Sequence, residues 1–230
     1  MKRRELLSGL AAAALVSGCA SQEPSGLLRL KTPEATYGSP VPLPSPAAYG
    51  AISLEQAIWR RRSMRAFRPD PLPTGTIGQL LWAGQGITSP DGKRAAPSAG
   101  ALYPLELYAV TPAQVMHYLP DGHRVETRDV SDLRPELKAA AVGQSSVGAA
   151  PVVIVVAAVP SRSTPRYGSQ AEPFIQMEVG HAAENILLQA AALGLAAVPV
   201  GSLNSSGAAA ALALPADQTV LYMIPVGHVP

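Results

Sequence analysis

The sequence predicts an α+β sandwich, in which helices cover a central β-sheet. Segments of strand character alternate with segments of helical periodicity across residues 50–230. One of the strands, residues 151–157, is apolar throughout, as expected for a strand that is covered on both faces. The longest helix, residues 172–193, is rich in alanine and leucine around nearly its whole circumference. Such a helix is buried in a core or in a subunit interface.

The first predicted helix spans residues 53–62 and begins with a capping box, in which a serine precedes a glutamine by three residues. Three prolines then interrupt the regular pattern. A second helix follows, with Thr74 as its predicted cap and two glycines, Gly84 and Gly86, closing it. Residues 87–104 are polar and rich in small residues, which predicts a loop whose backbone can approach a flat ligand closely.

The rest of the chain continues the alternation of strands and helices. Apolar and polar residues alternate over 105–110, and Asp121-Gly122 predicts a hairpin between strands at 115–119 and 124–127. The remaining predicted elements are, in order, a helix at 133–142, the apolar strand, the long helix capped by Gly194, a strand at 196–200, a helix at 204–214 and a strand at 220–226.

The N-terminus has the character of an export signal. A basic head precedes an apolar run at residues 6–16, and the following Val16-Ser17-Gly18-Cys19 resembles a bacterial lipobox. This predicts a signal peptide at residues 1–18, with Cys19 lipidated and the protein anchored in the bacterial cell envelope. An ordinary signal peptide with an incidental cysteine is the alternative. The two arginines near the N-terminus, Arg3 and Arg4, also fit twin-arginine export of a folded protein.

Residues 19–49 are rich in proline, which predicts an extended tether between the lipid anchor and a single domain at residues 50–230. The alternative for the last part of this stretch is that it lies on the domain surface. The formal net charge is +2, but residues 1–18 contain three of the 18 basic residues and one of the 16 acidic ones, which leaves 15 of each. This balance argues against nucleic-acid binding, which depends on a basic surface. A single cysteine excludes a disulfide framework, and the four histidines lack the spacing of metal ligands.

A cluster of charge follows the first predicted helix and consists of Arg60, Arg61, Arg62, Ser63 and Arg65. Guanidinium groups are permanently charged and present a planar set of donors, so a cluster with a hydroxyl beside it suits a phosphate group. The alternative is a solvated basic face, because arginine also complements the dipole at a helix C-terminus. In a domain without net charge, the cluster is expected to hold one small anion.

Six segments carry a resemblance to a known family by the order in which they occur. They are residues 53–67, 80–87, 94–108, 143–156, 178–195 and 221–227. In this order they resemble the FMN-dependent nitroreductase family, and most closely its SagB-type branch of azoline-oxidising peptide dehydrogenases. The resemblance implies an α/β/α sandwich with a mixed, mostly antiparallel sheet. It also implies a homodimer with FMN bound at the interface.

The resemblance also assigns site residues. It implies that Arg61, Arg62, Ser63 and Arg65 bind the phosphate and ribityl chain of FMN, and that the backbone N–H of Gly201 points at flavin N5. Two further groups follow from the same match: Gln144 near the ring edge, and the loop Pro97, Ser98, Ala99 and Gly100, which reaches the cofactor of the neighbouring subunit. Because flavin supplies the redox chemistry, no catalytic side chain is required.

The resemblance leaves several points open. Many family members have basic residues near the C-terminus that reach the phosphate, whereas this chain ends in Gly227-His228-Val229-Pro230, where His228 is the candidate substitute. The expected substrate is small and electron-poor or derived from a peptide. The donor is NAD(P)H, a membrane quinol or a redox protein, since soluble NAD(P)H is scarce outside the cytoplasm. The alternatives are an exported lipoprotein that binds flavin or another ligand without turnover, and a structural envelope lipoprotein.

Overall fold

The structure is a computed structural model that describes residues 34–230, so the predicted signal peptide, Cys19 and the first part of the tether lie outside the described residues. The strands within this range are β1 Val41–Pro42, β2 Leu105–Val110, β3 Gln114–Leu119, β4 Arg124–Asp129, β5 Val152–Ala158, β6 Leu195–Ala197 and β7 Thr219–His228. The α-helices are α1 Leu54–Arg60, α2 Thr74–Gln85, α3 Arg134–Ala140, α4 Ser145–Ala149, α5 Thr164–Tyr167, α6 Ala171–Ala192 and α7 Ser205–Ala211.

The described strands form one sheet in the order β1-β4-β3-β2-β5-β7-β6. Every pair of neighbouring strands is antiparallel, and the long pairings of β5 with β2 and β7 form its centre. The sheet of the described residues is therefore antiparallel and not mixed. The parallel pairing present is an isolated bridge between Ser63 and Ala197. Helix α6 follows β5, but the next strand joins the far edge of β7, so this crossover produces no parallel pair.

Helices cover both faces of the sheet, as predicted. On one face, α2 and α6 pack against alternate side chains of the central strands, among them Leu107 and Ile154. On the other face, α3, α4 and α7 pack against the intervening side chains, among them Val155 and Met223. This α/β/α layering confirms the predicted α+β class. No helix in the described part of the chain is long and apolar enough to cross a membrane.

Most predicted elements are present, with shifted ends. The hydroxyl of Ser53 accepts a hydrogen bond from the backbone N–H of Gln56, which confirms the predicted cap of α1. The prediction that Thr74 caps α2 is wrong, because Pro73 occupies the cap position and Thr74 is the first helical residue. The elements of the described residues that were not predicted are β1, α4, α5 and the short 3-10 helices Ala99–Ala101, Pro160–Arg162 and Gly168–Gln170. Each has five residues or fewer, which is too few to show a periodicity.

Residues 34–49 lie along the domain, although composition assigned them to the tether. Strand β1 pairs with the edge strand β4, and Leu43 is buried in the core with 7% of its surface exposed. The backbone N–H of Ala35 donates to the carbonyl of Ala213, and that of Ala47 donates to the side chain of Gln79. Proline is compatible with an edge strand such as β1, because one side of the strand needs no ladder hydrogen bonds.

Candidate functional site

The arginine cluster lies where the chain leaves α1 and runs beside β6. The N–H of Arg61 donates to the carbonyl of Ala57, which closes the helix. Ser63 then forms a parallel bridge with Ala197, and the N–H of Met64 donates to the carbonyl of Ala197 over 2.9 Å. The last turn of a helix and the end of the sheet therefore fix the backbone of the cluster.

The arginine side chains of the cluster remain largely available to a ligand. Arg61 forms an ion pair with Glu184 on α6, with 3.5 Å between Nε and Oε1. Arg62 donates to the carbonyls of Trp59 and Arg61 at the end of α1, over 2.9 and 2.7 Å. Within the described residues, neither Arg62 nor Arg65 has an acidic partner. Both charges are therefore free to bind an anion.

A cavity of about 180 Å³ adjoins the cluster. Its walls come from the arginine segment, from Leu187 and Ala191 on α6, from the start of β6 and from Val229. The C-terminal segment is held there because the N–H of Arg68 donates to the carbonyl of His228. His228 thus precedes Val229, which lines the cavity, and its role as a substitute for the missing basic residues stays a prediction.

Gly201 and Gln144 meet at the opposite end of the short segment that follows β6. The side chain of Gln144 donates to the carbonyl of Ser202 over 3.5 Å, next to Gly201. Within the described residues, the backbone N–H of Gly201 makes no hydrogen bond, and the residue is exposed. A Cβ atom at this position would lie 2.9 Å from the ring of Tyr222, so the site requires glycine. The N–H is therefore available to a ligand.

The loop of Pro97, Ser98, Ala99 and Gly100 is not part of the segments that carry the arginine cluster and Gly201. Gly100 adopts φ 62°, and a Cβ atom there would lie 2.6 Å from the hydroxyl of Tyr167. The side chain of Asn185 on α6 donates to the carbonyl of Ala95 just before the loop. Its neighbour Glu184 contacts Arg61 instead. Helix α6 thus separates the loop from the arginine cluster within one chain.

The structure therefore joins some of the predicted site residues and not others. Through β6 and the segment after it, the chain connects the arginine cluster to Gly201 and Gln144, with three residues between Ala197 and Gly201 along the chain. The loop at residues 97–100 packs on a different face of α6. That the loop serves the cofactor of a neighbouring subunit stays a prediction.

Sequence reasoning missed a buried polar cluster beneath this loop. Glu178 on α6 and Gln85 at the end of α2 are 3% and 1% exposed. Burial raises the pKa of the Glu178 carboxyl to about 7, although Ser98, Arg94 and Gln85 act in the opposite direction. The signal was present in the helical periodicity, because Glu178 takes a core position between Ile175 and Ala182.

Comparison with known proteins identifies the family. Residues 58–228 match the model of the nitroreductase family, which spans both the arginine cluster and Gly201. The chain belongs to the nitroreductase family. A Methanocaldococcus jannaschii protein that is named as a nitroreductase is 35% identical over 183 residues, which cover 77% of this chain and 91% of that protein.

Solved structures agree with this assignment. A structure from Ralstonia eutropha JMP134, titled as a nitroreductase, has a TM-score of 0.75 and 31% identity, and the match covers 86% of this chain and 94% of that one. A Desulfovibrio desulfuricans structure, titled as a nitroreductase in complex with FMN, has a TM-score of 0.58 and 25% identity, with coverages of 76% and 85%. The predictions of the family, the fold and an oxidoreductase are confirmed. The SagB-type branch, the homodimer and the roles of individual site residues stay predictions.

Proposed function

We propose that this protein is an FMN-dependent oxidoreductase that uses Arg61, Arg62, Ser63 and Arg65 to bind the phosphate and Gly201 to orient the ring. Family membership and the FMN-bound neighbour support FMN as the cofactor. The observation that carries the proposal is that Arg62 and Arg65, which have no acidic partner in the described residues, lie on a segment bridged to β6, the strand that leads to the free backbone N–H of Gly201. A phosphate needs several charge-assisted donors, and a ring needs a close backbone approach.

The residues of this chain have distinct roles toward the cofactor. FMN supplies the exchange of hydride or electrons through N5, and the protein supplies binding, orientation and electrostatics. Arg62 and Arg65 neutralise the phosphate, while Arg61 is held in place by Glu184. The N–H of Gly201 donates toward the ring, and Gln144 fixes the segment that carries Gly201 by its hydrogen bond to Ser202. No side-chain acid or base is needed for binding.

The proposal includes a homodimer with one FMN site at each end of the interface. Its support is that α1 presents Leu54, Ile58 and Trp59 to solvent, with 61%, 56% and 78% of their surfaces exposed. Met177 on the neighbouring α6 is also 59% exposed. Large apolar side chains that lie together on one surface mark an interaction site. Dimerisation would cover them and bring the loop at residues 97–100 to the partner's arginine cluster.

The finer parts of the proposal rest on residue matches alone. The resemblance to the SagB-type branch supports a small electron-poor or peptide-derived substrate. Azoline oxidation is not part of the proposal, because the lysine and tyrosine that this branch uses for proton removal are not placed in this sequence. The signal at residues 1–18 and Cys19 support export and lipid anchoring in the bacterial cell envelope. In that compartment, a membrane quinol or a redox protein is a more suitable donor than NAD(P)H.

The test is the visible spectrum of the natively purified protein, compared with the double variant Arg61→Ala plus Arg65→Ala. We expect flavin absorbance in the wild-type protein. The double variant should bind FMN at least a hundredfold more weakly, because hydrogen bonds to charged groups contribute about 1.5 to 3 kcal/mol each. FMN fluorescence titration measures the affinity of both proteins.

A matched control removes two other exposed arginines, Arg68 and Arg124, which pair with the nearby Asp70 and Asp121. This control should retain the wild-type affinity for FMN. Wild-type protein that binds no FMN would overturn the proposal. Bound FMN that neither NADPH nor a quinol reduces would instead favour the alternative of a flavin-binding lipoprotein without turnover.

A further inference from the structure

Two buried polar groups beneath the loop at residues 97–100 lack partners. Within the described residues, Oε1 of Glu178 and Nε2 of Gln85 make no hydrogen bond, although the two residues are neighbours. An unsatisfied buried polar group costs about 1 to 3 kcal/mol, so such a pair requires an explanation. One atom is an acceptor and the other is a donor, so a small movement of either side chain would satisfy both.

The pair is connected to the loop through Ser98. The Oγ of Ser98 accepts a hydrogen bond from the backbone N–H of Tyr103 over 2.9 Å, and its carbonyl accepts from the N–H of Ala101 over 3.0 Å. Ser98 therefore fixes both the start and the end of the turn that contains Gly100. Because Glu178 lies beside Ser98, a change in the charge of its carboxyl group acts directly on the residue that holds the turn.

We propose that Glu178 is a positioning residue which, in its neutral form, holds the loop of Pro97 to Gly100 in the conformation that reaches the partner's cofactor. The neutral carboxyl donates its proton to Ser98 and accepts from Nε2 of Gln85. Ionisation would leave a carboxylate in a site that is almost closed to water and would displace the loop. This inference rests on the proposed function, because it requires the loop to contribute to an FMN site.

Burial favours the neutral form of Glu178 and outweighs Ser98, Arg94 and Gln85, which each favour the carboxylate. The charged group that acts on Glu178 is Arg94, whose guanidinium donates to Oε1 of Gln85 over 2.8 Å and lies 4.5 Å from the ring centre of Tyr103. Burial lowers the pKa of Arg94, and Glu106 and Arg162 also act on it. Arg94 therefore interacts with several groups besides Glu178. Burial remains the largest influence on the pKa of Glu178.

The experiment measures the dissociation constant of FMN between pH 5.5 and 8.5 for the wild-type protein, Glu178→Gln and Glu178→Ala. The readout is the ratio of each variant's constant to that of the wild type, because ionisation of the FMN phosphate affects all proteins alike. Glutamine imitates the neutral acid, so the Glu178→Gln ratio should stay within threefold of one at pH 6. Above pH 7, the dissociation constant of FMN for the wild type should rise by up to tenfold per pH unit relative to that of Glu178→Gln.

Two controls separate positioning from folding. Glu172→Gln removes an exposed carboxylate from the same helix and should keep the wild-type profile. Glu178→Ala should bind at least tenfold more weakly at pH 6. Amide exchange at Ala101 and Tyr103, corrected for its intrinsic pH dependence, should accelerate above pH 7 in the wild type and not in Glu178→Gln.

The outcomes are distinguishable. Wild-type protein that binds FMN, with a Glu178→Gln ratio that is constant across the pH range, overturns this inference and leaves the proposed function intact. Glu178→Ala that binds FMN as tightly as the wild type at pH 6 also overturns it. Failure of the wild type to bind FMN at any pH contradicts the proposed function itself.

Discussion

Gly201 shows how one residue shapes a site without contributing a side chain. Its φ angle is not positive, so the backbone conformation alone does not require glycine. The requirement comes from the ring of Tyr222, which occupies the space where a Cβ atom would stand. Tyr222 itself is partly buried against the core formed by α2 and α6. The core therefore determines where the free N–H of Gly201 lies.

The substitution Gly201→Ala should lower FMN affinity and turnover about tenfold or more, because the new methyl group must displace the segment from Tyr222. Thermal stability should change little, since the residue is exposed. Adding Tyr222→Leu removes the ring and should restore part of the affinity. The measurement is FMN titration beside thermal unfolding. An unchanged affinity in Gly201→Ala would show that this segment does not approach the cofactor.

The buried carboxyl of Glu178 predicts a pH effect on folding. Its pKa is raised from 4.5 to about 7 by burial, so the native state keeps a proton that the unfolded chain loses. The favourable contribution is complete below about pH 4.5 and is lost as the pH rises through about 7. Glu178→Gln should therefore match the wild type near pH 5 and be more stable at pH 8.5, by up to about 3 kcal/mol. Urea unfolding of the cofactor-free proteins at both pH values checks this difference.

Residue identity alone predicted part of the candidate site. The arginine cluster was recognisable because charge and a hydroxyl occur together, and the structure leaves Arg62 and Arg65 without acidic partners in the described range. Glu178 and Tyr222 were not predicted, since their importance depends on neighbours far away in sequence. No local pattern links Glu178 to Ser98 or Tyr222 to Gly201.

At the scale of elements, the segment at residues 34–49 is the main departure from the sequence interpretation. Proline density predicted an extended chain, and the chain is extended. Composition could not show that Leu43 enters the core or that β1 pairs with β4. Two residues are too few to give a strand signal, whereas α2 and α6 were predicted because they are long and periodic.

Deleting this segment should destabilise the domain. A chain that starts at residue 50 should unfold about 5 to 10 °C below one that starts at residue 34, because it loses the burial of Leu43 and several backbone hydrogen bonds. Within the longer chain, Leu43→Ala should produce a substantial part of this decrease. Differential scanning calorimetry measures all three proteins. Equal melting temperatures would mean that the segment behaves as the free tether predicted from composition.

At the scale of the whole molecule, α1 is a helix whose large apolar side chains are exposed to solvent. Leu54, Ala57 and Ile58 form an apolar stripe along this helix, yet only Ala57 is buried. The periodicity correctly predicted an apolar stripe, but one sequence cannot show whether such a stripe faces its own core or another chain. The exposed stripe is the reason to expect a second subunit.

The double variant Leu54→Glu plus Ile58→Glu should convert a dimer into monomers, because two carboxylates would lose water in the interface. The FMN content should fall with the dimer, since each proposed site includes a loop from the partner. Val41→Glu plus Tyr49→Glu adds the same charge at other exposed positions and should remain dimeric. Sedimentation velocity and the flavin to protein absorbance ratio give both results. A wild-type monomer with full FMN content would contradict the proposed interface.

Neighbouring molecules could extend the antiparallel sheet by adding strands at β4 or at β6. Residues that precede α2 in the sequence cover both of these strands. Strand β1 pairs with β4 at one end, and the segment from Ser63 to Arg68 bridges β6 and the end of β7 at the other. The second of these covers includes Ser63 and Arg65, two of the proposed phosphate-binding residues. Any ligand that holds this segment in place also guards against self-assembly by strand addition. Loss of flavin during purification or storage would then be the step that starts aggregation.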